Sequence, residues 1–332
     1  MHRFLSSSLL AISIISGTVL PAFSASDSTD GKTSKSTGSR PKIGLALGGG
    51  GARGAAHVTV LKVLEKEGIP IDYIAGTSIG SVVGGLYSAG VPLDVLETEF
   101  KNASLMKSFM TVPLWLRVAA APIMFTPRLF GSKAYDGLYK GNKFRKFLTH
   151  SVPPAEQNIE NLKIKYAAVA VSLVDGKTHI LDKGNLGYAM QASCAVPQLR
   201  KPVQIGDNLF CDGGVASNVP VDECRKLGAD IVIAVCIDER VETEDIKNFR
   251  KVGSVAKRLL KLDLRDIDQP RMERADLVIH PNVDGISLIS TKKSDAIKGL
   301  AAGEEAAKAA IPAIRKKLQE AGVRLADVAN PN

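Results

Sequence analysis

Gly76-Thr77-Ser78-Ile79-Gly80 decides how this chain is read. A G-x-S-x-G that follows an apolar strand and precedes a small-residue helix is the signature of a sharp strand-to-helix turn that lifts a serine hydroxyl clear of the backbone. Before it, Ile71-Asp72-Tyr73-Ile74-Ala75 has the β-branched and aromatic content of a buried strand. After it, Ser81-Val82-Val83-Gly84-Gly85-Leu86-Tyr87 continues as a helix. Gly76 and Gly80 stand where a larger side chain would clash with the turn. The pattern also arises by chance, so the surrounding chain has to decide whether Ser78 is a nucleophile.

Upstream, Ile43-Gly44-Leu45-Ala46-Leu47 is a short buried strand that runs into Gly48-Gly49-Gly50-Gly51-Ala52-Arg53-Gly54 and then a helix. Such a loop lets backbone N–H groups approach an anion, and the helix N-terminus adds positive potential. The anion is either a dinucleotide pyrophosphate or the oxyanion of a tetrahedral ester intermediate. The first needs an acidic residue after the second strand; Asp72 precedes that strand, which favours the second. Downstream, strands are expected at 164–171, 209–211, 231–235 and 277–279, helices at 187–192, 221–227 and 292–308, and a hairpin at Asp175-Gly176. Strands alternating with helices predict an α/β domain from 42 to 320 with a mostly parallel central sheet flanked by helices, followed by a tail at 321–332.

Asp212-Gly213-Gly214 breaks the strand at Leu209-Phe210-Cys211 and leaves Asp212 at its C-terminal end, where α/β active sites gather. G-G-G-x-K/R-G at Gly49 to Gly54, G-x-S-x-G at Gly76 to Gly80 and D-G-G at Asp212 to Gly214, in that order, resemble the patatin-like phospholipase family. Ala192-Ser193-Cys194-Ala195-Val196-Pro197 and Asn218-Val219-Pro220-Val221 add to the likeness, which spans about Lys42 to His280. Arg200-Lys201 departs from it, standing where relatives often carry an aromatic residue. The resemblance implies a Ser78–Asp212 dyad, an oxyanion hole at Gly49, Gly50 and Gly51 with Arg53 helping to order the loop, and a phospholipid or lysophospholipid ester as substrate, with neither metal nor cofactor. Two other readings stay open: a triad esterase that recruits His280, and a lipid-binding protein on the same fold without turnover.

The remaining composition bounds the setting. Of 332 residues 45% are hydrophobic, enough for a sizeable core. Arg3, an apolar run from Leu9 to Leu20 and the small residues of Pro21-Ala22-Phe23-Ser24-Ala25 predict a signal peptide over 1–24 and export to the periplasm, outer membrane or medium; an uncleaved anchor is the alternative. Residues 25–41, rich in Ser, Thr, Gly and Lys, predict a flexible linker. The formal charge is +9, and loss of a leader carrying only Arg3 leaves +8. That surplus suits an acidic membrane surface, and no nucleic-acid motif accompanies it. Cys194, Cys211, Cys224 and Cys236 fit buried thiols better than two disulfides. Between Leu105 and Phe130, Phe109, Trp115 and Phe125 lie among few charges and suit either a segment that dips into headgroups or lines an acyl channel, or a cap packed onto the core. Pro113, Arg117 and Pro122 are expected to break this run, so that no bilayer-spanning helix forms there.

Overall fold

Five strands whose residues are almost wholly apolar form the parallel centre of the sheet, as burial on both faces demands. The structure is a computed structural model that describes residues 40–129, 136–323 and 325, with the side chains of 122–125 and 127–129 outside that description. The expected leader, the Phe125 side chain and most of the expected tail therefore lie outside the described residues, as does the linker except for Arg40 and Pro41. The described residues belong to one unit, Arg40–Asn332. In chain order the elements are β1 (Ile43–Leu47), α1 (Ala55–Lys66), β2 (Tyr73–Thr77), α2 (Ile79–Ser88), α3 (Leu93–Lys101), α4 (Ser104–Phe109), α5 (Leu114–Leu129) and α6 (Asn142–His150). Then come β3 (Lys165–Ser172), β4 (Thr178–Leu181), α7 (Leu186–Ser193), β5 (Val203–Ile205), β6 (Asn208–Asp212), α8 (Val221–Lys226), β7 (Ile231–Val235), α9 (Ser254–Met272), β8 (Leu277–Ile279) and α10 (Lys293–Glu320).

The parallel strands run β3-β2-β1-β7-β8. Alternation along them sorts side chains by size. Ile43, Leu45 and Leu47 of β1, with Ile231, Ile233 and Val235 of β7, enter the larger core with α1, α2 and α10. Ala46, Val232 and Ala234 face the thinner layer under α8, with Val221 and Cys224. Each large aliphatic side chain fully buried in the first layer contributes roughly 1.5–3 kcal/mol. All four cysteines are buried and free, as their apolar contexts predict.

Register explains how two distant parts of the chain meet. β3 pairs with β2 up to Val169↔Thr77 and with antiparallel β6 from Ala170↔Asp212 onward, while β4 pairs with Ala168 to Val171. One edge of a strand holds one partner at a time. β4 must therefore take one edge, and β2 and β6 share the other, end to end. Both run toward each other, so Thr77 and Asp212 occupy neighbouring positions on β3 although 135 residues separate them.

Several expectations need correction. β2 starts at Tyr73, two residues later than expected; Asp72 lies just before it beside the start of β1, its carboxylate accepting the Ile43 N–H at 2.9 Å and pairing with Arg40 at 2.6 Å. The same contacts remove Asp72 from any dinucleotide role at the glycine loop. α5 runs through Pro122 and Pro127 instead of breaking, starting directly after Pro113. Leucine and alanine in its first turns favour helix, and the prolines each remove one backbone donor. Among the described residues no helix is long and apolar enough to cross a membrane. α10 extends twelve residues beyond the expected end, and α9 had no counterpart in the sequence reading.

Candidate active site

Ser78 has φ 51° and ψ −121°, a backbone conformation that non-glycine residues rarely adopt and that costs of order 1–3 kcal/mol. The fold holds it there from several sides. Its N–H donates to Ser193 Oγ at 2.9 Å, and that hydroxyl donates to the Val169 carbonyl at 2.6 Å. The Ser78 carbonyl accepts from the Ser81 hydroxyl at 2.6 Å. Beneath the turn, a Cβ on Gly80 would run into the Leu47 and Gly48 carbonyls, and one on Gly76 would lie 2.5 Å from the Gly80 backbone. Glycine at both places therefore lets α2 dock on the end of β1 and aim its N-terminus at the serine.

Asp212 ends β6 with its carboxyl buried. Oδ1 accepts the Gly214 N–H at 2.8 Å, and Oδ2 is enclosed without a hydrogen-bond partner. Burial pushes this carboxyl up to about 6, against the opposing pull of the Gly214 N–H and the nearby Ser78 hydroxyl. Gly213 lets the chain pass the Val169 carbonyl, which a Cβ would approach to 2.5 Å.

The glycine loop lies across from these two. Gly48 N–H donates to Val235, Gly49 N–H to Asn218, Ala52 N–H to Leu288 and Arg53 N–H to Gly50. The N–H groups of Gly50 and Gly51 have no partner among the described residues. Gly51 has φ 56°, and a Cβ there would strike the Leu288 carbonyl, so the exposed donors depend on glycine. Gly49 thus serves as a close-packed hinge against Asn218 and Ser78 rather than as a third free donor. Gly54 leaves room for the Ile79 side chain. Arg53 points away from the cleft. Its Nη2 pairs with the buried Glu239 at 2.9 Å and its Nε donates to the Ile286 carbonyl at 2.9 Å, which anchors the loop's far end.

Neither histidine considered from sequence lines the cavity onto which Ser78 and Asp212 open. His57 is fully buried, donates to the Gly48 carbonyl at 2.8 Å, and is lowered by that burial to about 4, so it stays neutral. His280 donates to the Asp238 carbonyl at 3.0 Å and does not line the cleft.

Ser78, Asp212, Gly50 and Gly51 open onto one cavity of about 760 Å³, within the usual range for small-molecule sites. Its walls are chiefly apolar: Leu105, Met106 and Phe109 from α4 and its end, Phe144 from α6, and Leu260 and Leu264 from α9. Arg200 braces Phe109 from behind, donating to its carbonyl at 3.0 Å and lying 4.4 Å over its ring, which gives the residue at this unusual position a structural use. Phe109 is therefore a cavity wall. Trp115 is 69% exposed, and Leu116 and Val118 beside it are exposed as well.

Sequence reasoning missed Asp238, just past the end of β7. Its Oδ2 accepts from Asn218 Nδ2 at 3.1 Å, and its carboxyl is pushed above the usual carboxylate range by burial and by the neighbouring Asp268 carboxyl. Its place beyond the C-terminal end of a parallel strand was the available signal. Asp268 in turn accepts the Val219 N–H at 2.8 Å. The two carboxyls thereby fix Asn218, whose carbonyl holds Gly49.

The model of the family described as patatin-like phospholipase matches residues 45–225, more than half of the chain. A patatin-like phospholipase domain-containing protein of Caenorhabditis elegans is 37% identical over 204 residues, 60% of this chain and 14% of that protein. An uncharacterized NTE family protein of Mycobacterium tuberculosis is 35% identical over 200 residues, 60% of this chain and 50% of its own. Lysophospholipase NTE1 of Debaryomyces hansenii is 33% identical over 205 residues, 61% of this chain and 12% of that one. The chain thus spans at most half the length of these curated relatives. Among solved structures, VipD from Legionella pneumophila matches 83% of this chain and 67% of its own, with 14% identity and a TM-score of 0.46. With its glycine loop, serine turn and D-G-G in the matched order, the chain belongs to the patatin-like phospholipase family.

Proposed function

We propose that this chain is a lipid acyl hydrolase that cleaves carboxylic esters of phospholipids or lysophospholipids through Ser78 and Asp212. The observation that carries the reading is the convergence, at one end of an apolar cavity, of a strained serine, a buried carboxyl with a free oxygen and two unpartnered N–H groups. The names of its relatives, a lysophospholipase among them, favour lipid over other esters.

In this mechanism Ser78 Oγ attacks the ester carbonyl as its proton passes to Asp212 Oδ2. The carbonyl oxygen becomes an oxyanion held by the Gly50 and Gly51 N–H groups. Collapse breaks the bond to the alcohol, which leaves with the proton from Asp212, and the fatty acyl group stays on Ser78. Water then attacks the acyl-enzyme, giving its proton to Asp212, and the acid departs as Ser78 Oγ is reprotonated. Burial raises Asp212 to about 6, which makes it a stronger base than an exposed aspartate and still leaves it ionised at neutral pH. Each oxyanion donor is worth roughly 3–4 kcal/mol in the transition state.

We also propose that α5 meets the lipid surface through Trp115, Leu116 and Val118, and that the chain is exported from a bacterial cytoplasm by its N-terminal leader. Exposed apolar side chains in a row support the first, and the Arg3, Leu9 to Leu20 and Pro21 to Ala25 pattern supports the second. A panel of phospholipid and lysophospholipid vesicles tests substrate and surface together. Free fatty acid should appear from at least one class, and emission of Trp115, the sole tryptophan, should shift to the blue on vesicles. Absence of fatty acid from every lipid would overturn the hydrolase reading; unshifted emission from vesicle-bound protein would remove α5 from the interface.

A further inference from the structure

α9 is a 19-residue helix of which only Asp268 is buried. That residue ties the helix's C-terminal half to Val219 beside the glycine loop, and Leu260, Leu264 and Ile267, with Asp263 and Asp266, form one wall of the cavity. The N-terminal half and the segment leading into it have another character. Ile246 is 80% exposed, and Val252, Val255, Leu259 and Leu260 are exposed with it. From Ile246 to Leu262 the chain carries six Lys and Arg residues and no Asp or Glu. Arg258 is held by Glu244 at 3.0 Å, and Lys257 and Lys261 face Glu239 at 3.7 and 3.5 Å. Lys247, Arg250 and Lys251 are exposed and make no ion pair among the described residues.

We propose that this basic, apolar face docks on an anionic phospholipid surface and sets the cavity mouth against it. The proposal rests on the hydrolase reading for its purpose, though binding itself needs no turnover. Charge complementarity selects the partner, since three unpaired cations match acidic headgroups. The exposed aliphatic side chains among them match the acyl boundary, where a nucleic acid would leave them in water. Continuity selects the orientation: Leu260 belongs both to the exposed face and to the cavity wall, so a lipid leaving the bilayer there meets the path to Ser78 without crossing water.

Co-sedimentation of the full chain with phosphatidylcholine vesicles, with and without phosphatidylglycerol, tests this beside turnover of a soluble short-chain p-nitrophenyl ester. Wild type should bind the mixed vesicles, release them as salt rises and ignore inorganic phosphate as a competitor. Combined Lys247→Glu, Arg250→Glu and Lys251→Glu should weaken binding by roughly a hundredfold. Val255→Ser with Leu259→Ser should weaken it as well, and both variants should hydrolyse the soluble ester as wild type does. Unchanged vesicle binding in the charge-reversed variant, equal binding to neutral vesicles, competition by phosphate, or a variant that only changes from dimer to monomer would each overturn the proposal. Loss of soluble-ester turnover in wild type would instead overturn the hydrolase reading and leave the vesicle result to stand by itself.

Discussion

Ser78→Ala is expected to reduce ester hydrolysis by about 10⁶-fold, the loss typical when the nucleophile of a serine hydrolase is removed. The substitution deletes one oxygen that faces the cavity. It leaves the Ser193 hydroxyl to accept the residue-78 N–H and Ser81 to donate to its carbonyl, so the turn keeps its supports. Release of p-nitrophenol and of fatty acid should fall together while the thermal midpoint stays within a few degrees of wild type. Survival of either activity would place the nucleophile elsewhere.

Asp212→Asn is expected to cost about 10²–10⁴-fold at pH 8, the usual worth of a positioned general base. Its pH behaviour separates that role from a structural one. With the carboxyl at about 6, kcat/KM of wild type should climb tenfold per pH unit below that value and level off above it. The stability effect has the opposite sense. Asp212 is raised in the folded protein, so its favourable contribution is complete below the unfolded carboxyl range and is lost as pH rises through about 6. Asparagine cannot ionise, so the variant should be more stable than wild type at pH 8, by about 2–3 kcal/mol if the full shift is realised. A protein that is steadier yet inactive has lost chemistry and not structure.

The central sheet was legible because each parallel strand is a continuous apolar run bounded by turns; β7 and β8 fall on the expected residues. The nearness of Ser78 and Asp212 was not legible in either strand. It arises from β2 and β6 sharing one edge of β3, a matter of register between strands far apart in sequence. Sequence also located the glycine loop, but only the hydrogen bonds of its neighbours single out Gly50 and Gly51 as unengaged donors. α9 went unassigned although Val255, Leu259 and Leu262, and Leu260, Leu264 and Ile267, recur at helical spacing, because they stand in a stretch dense in Lys, Arg and Asp and face the cavity or solvent and not a buried core. Pro122 misled for a related reason. A proline argues locally against helix, whereas six of the eight α5 residues before it, Leu, Arg and Ala, are good helix formers.

The claim that Ser78 acts with Asp212 and without histidine meets its most direct test in labelling by a fluorophosphonate, with the modified peptide mapped by mass spectrometry. The label should fall on Ser78 in wild type and in His280→Ala at the same rate, and should fade by orders of magnitude in Asp212→Asn. Labelling that persists in Asp212→Asn and disappears in His280→Ala, or that falls on a different serine, would contradict it.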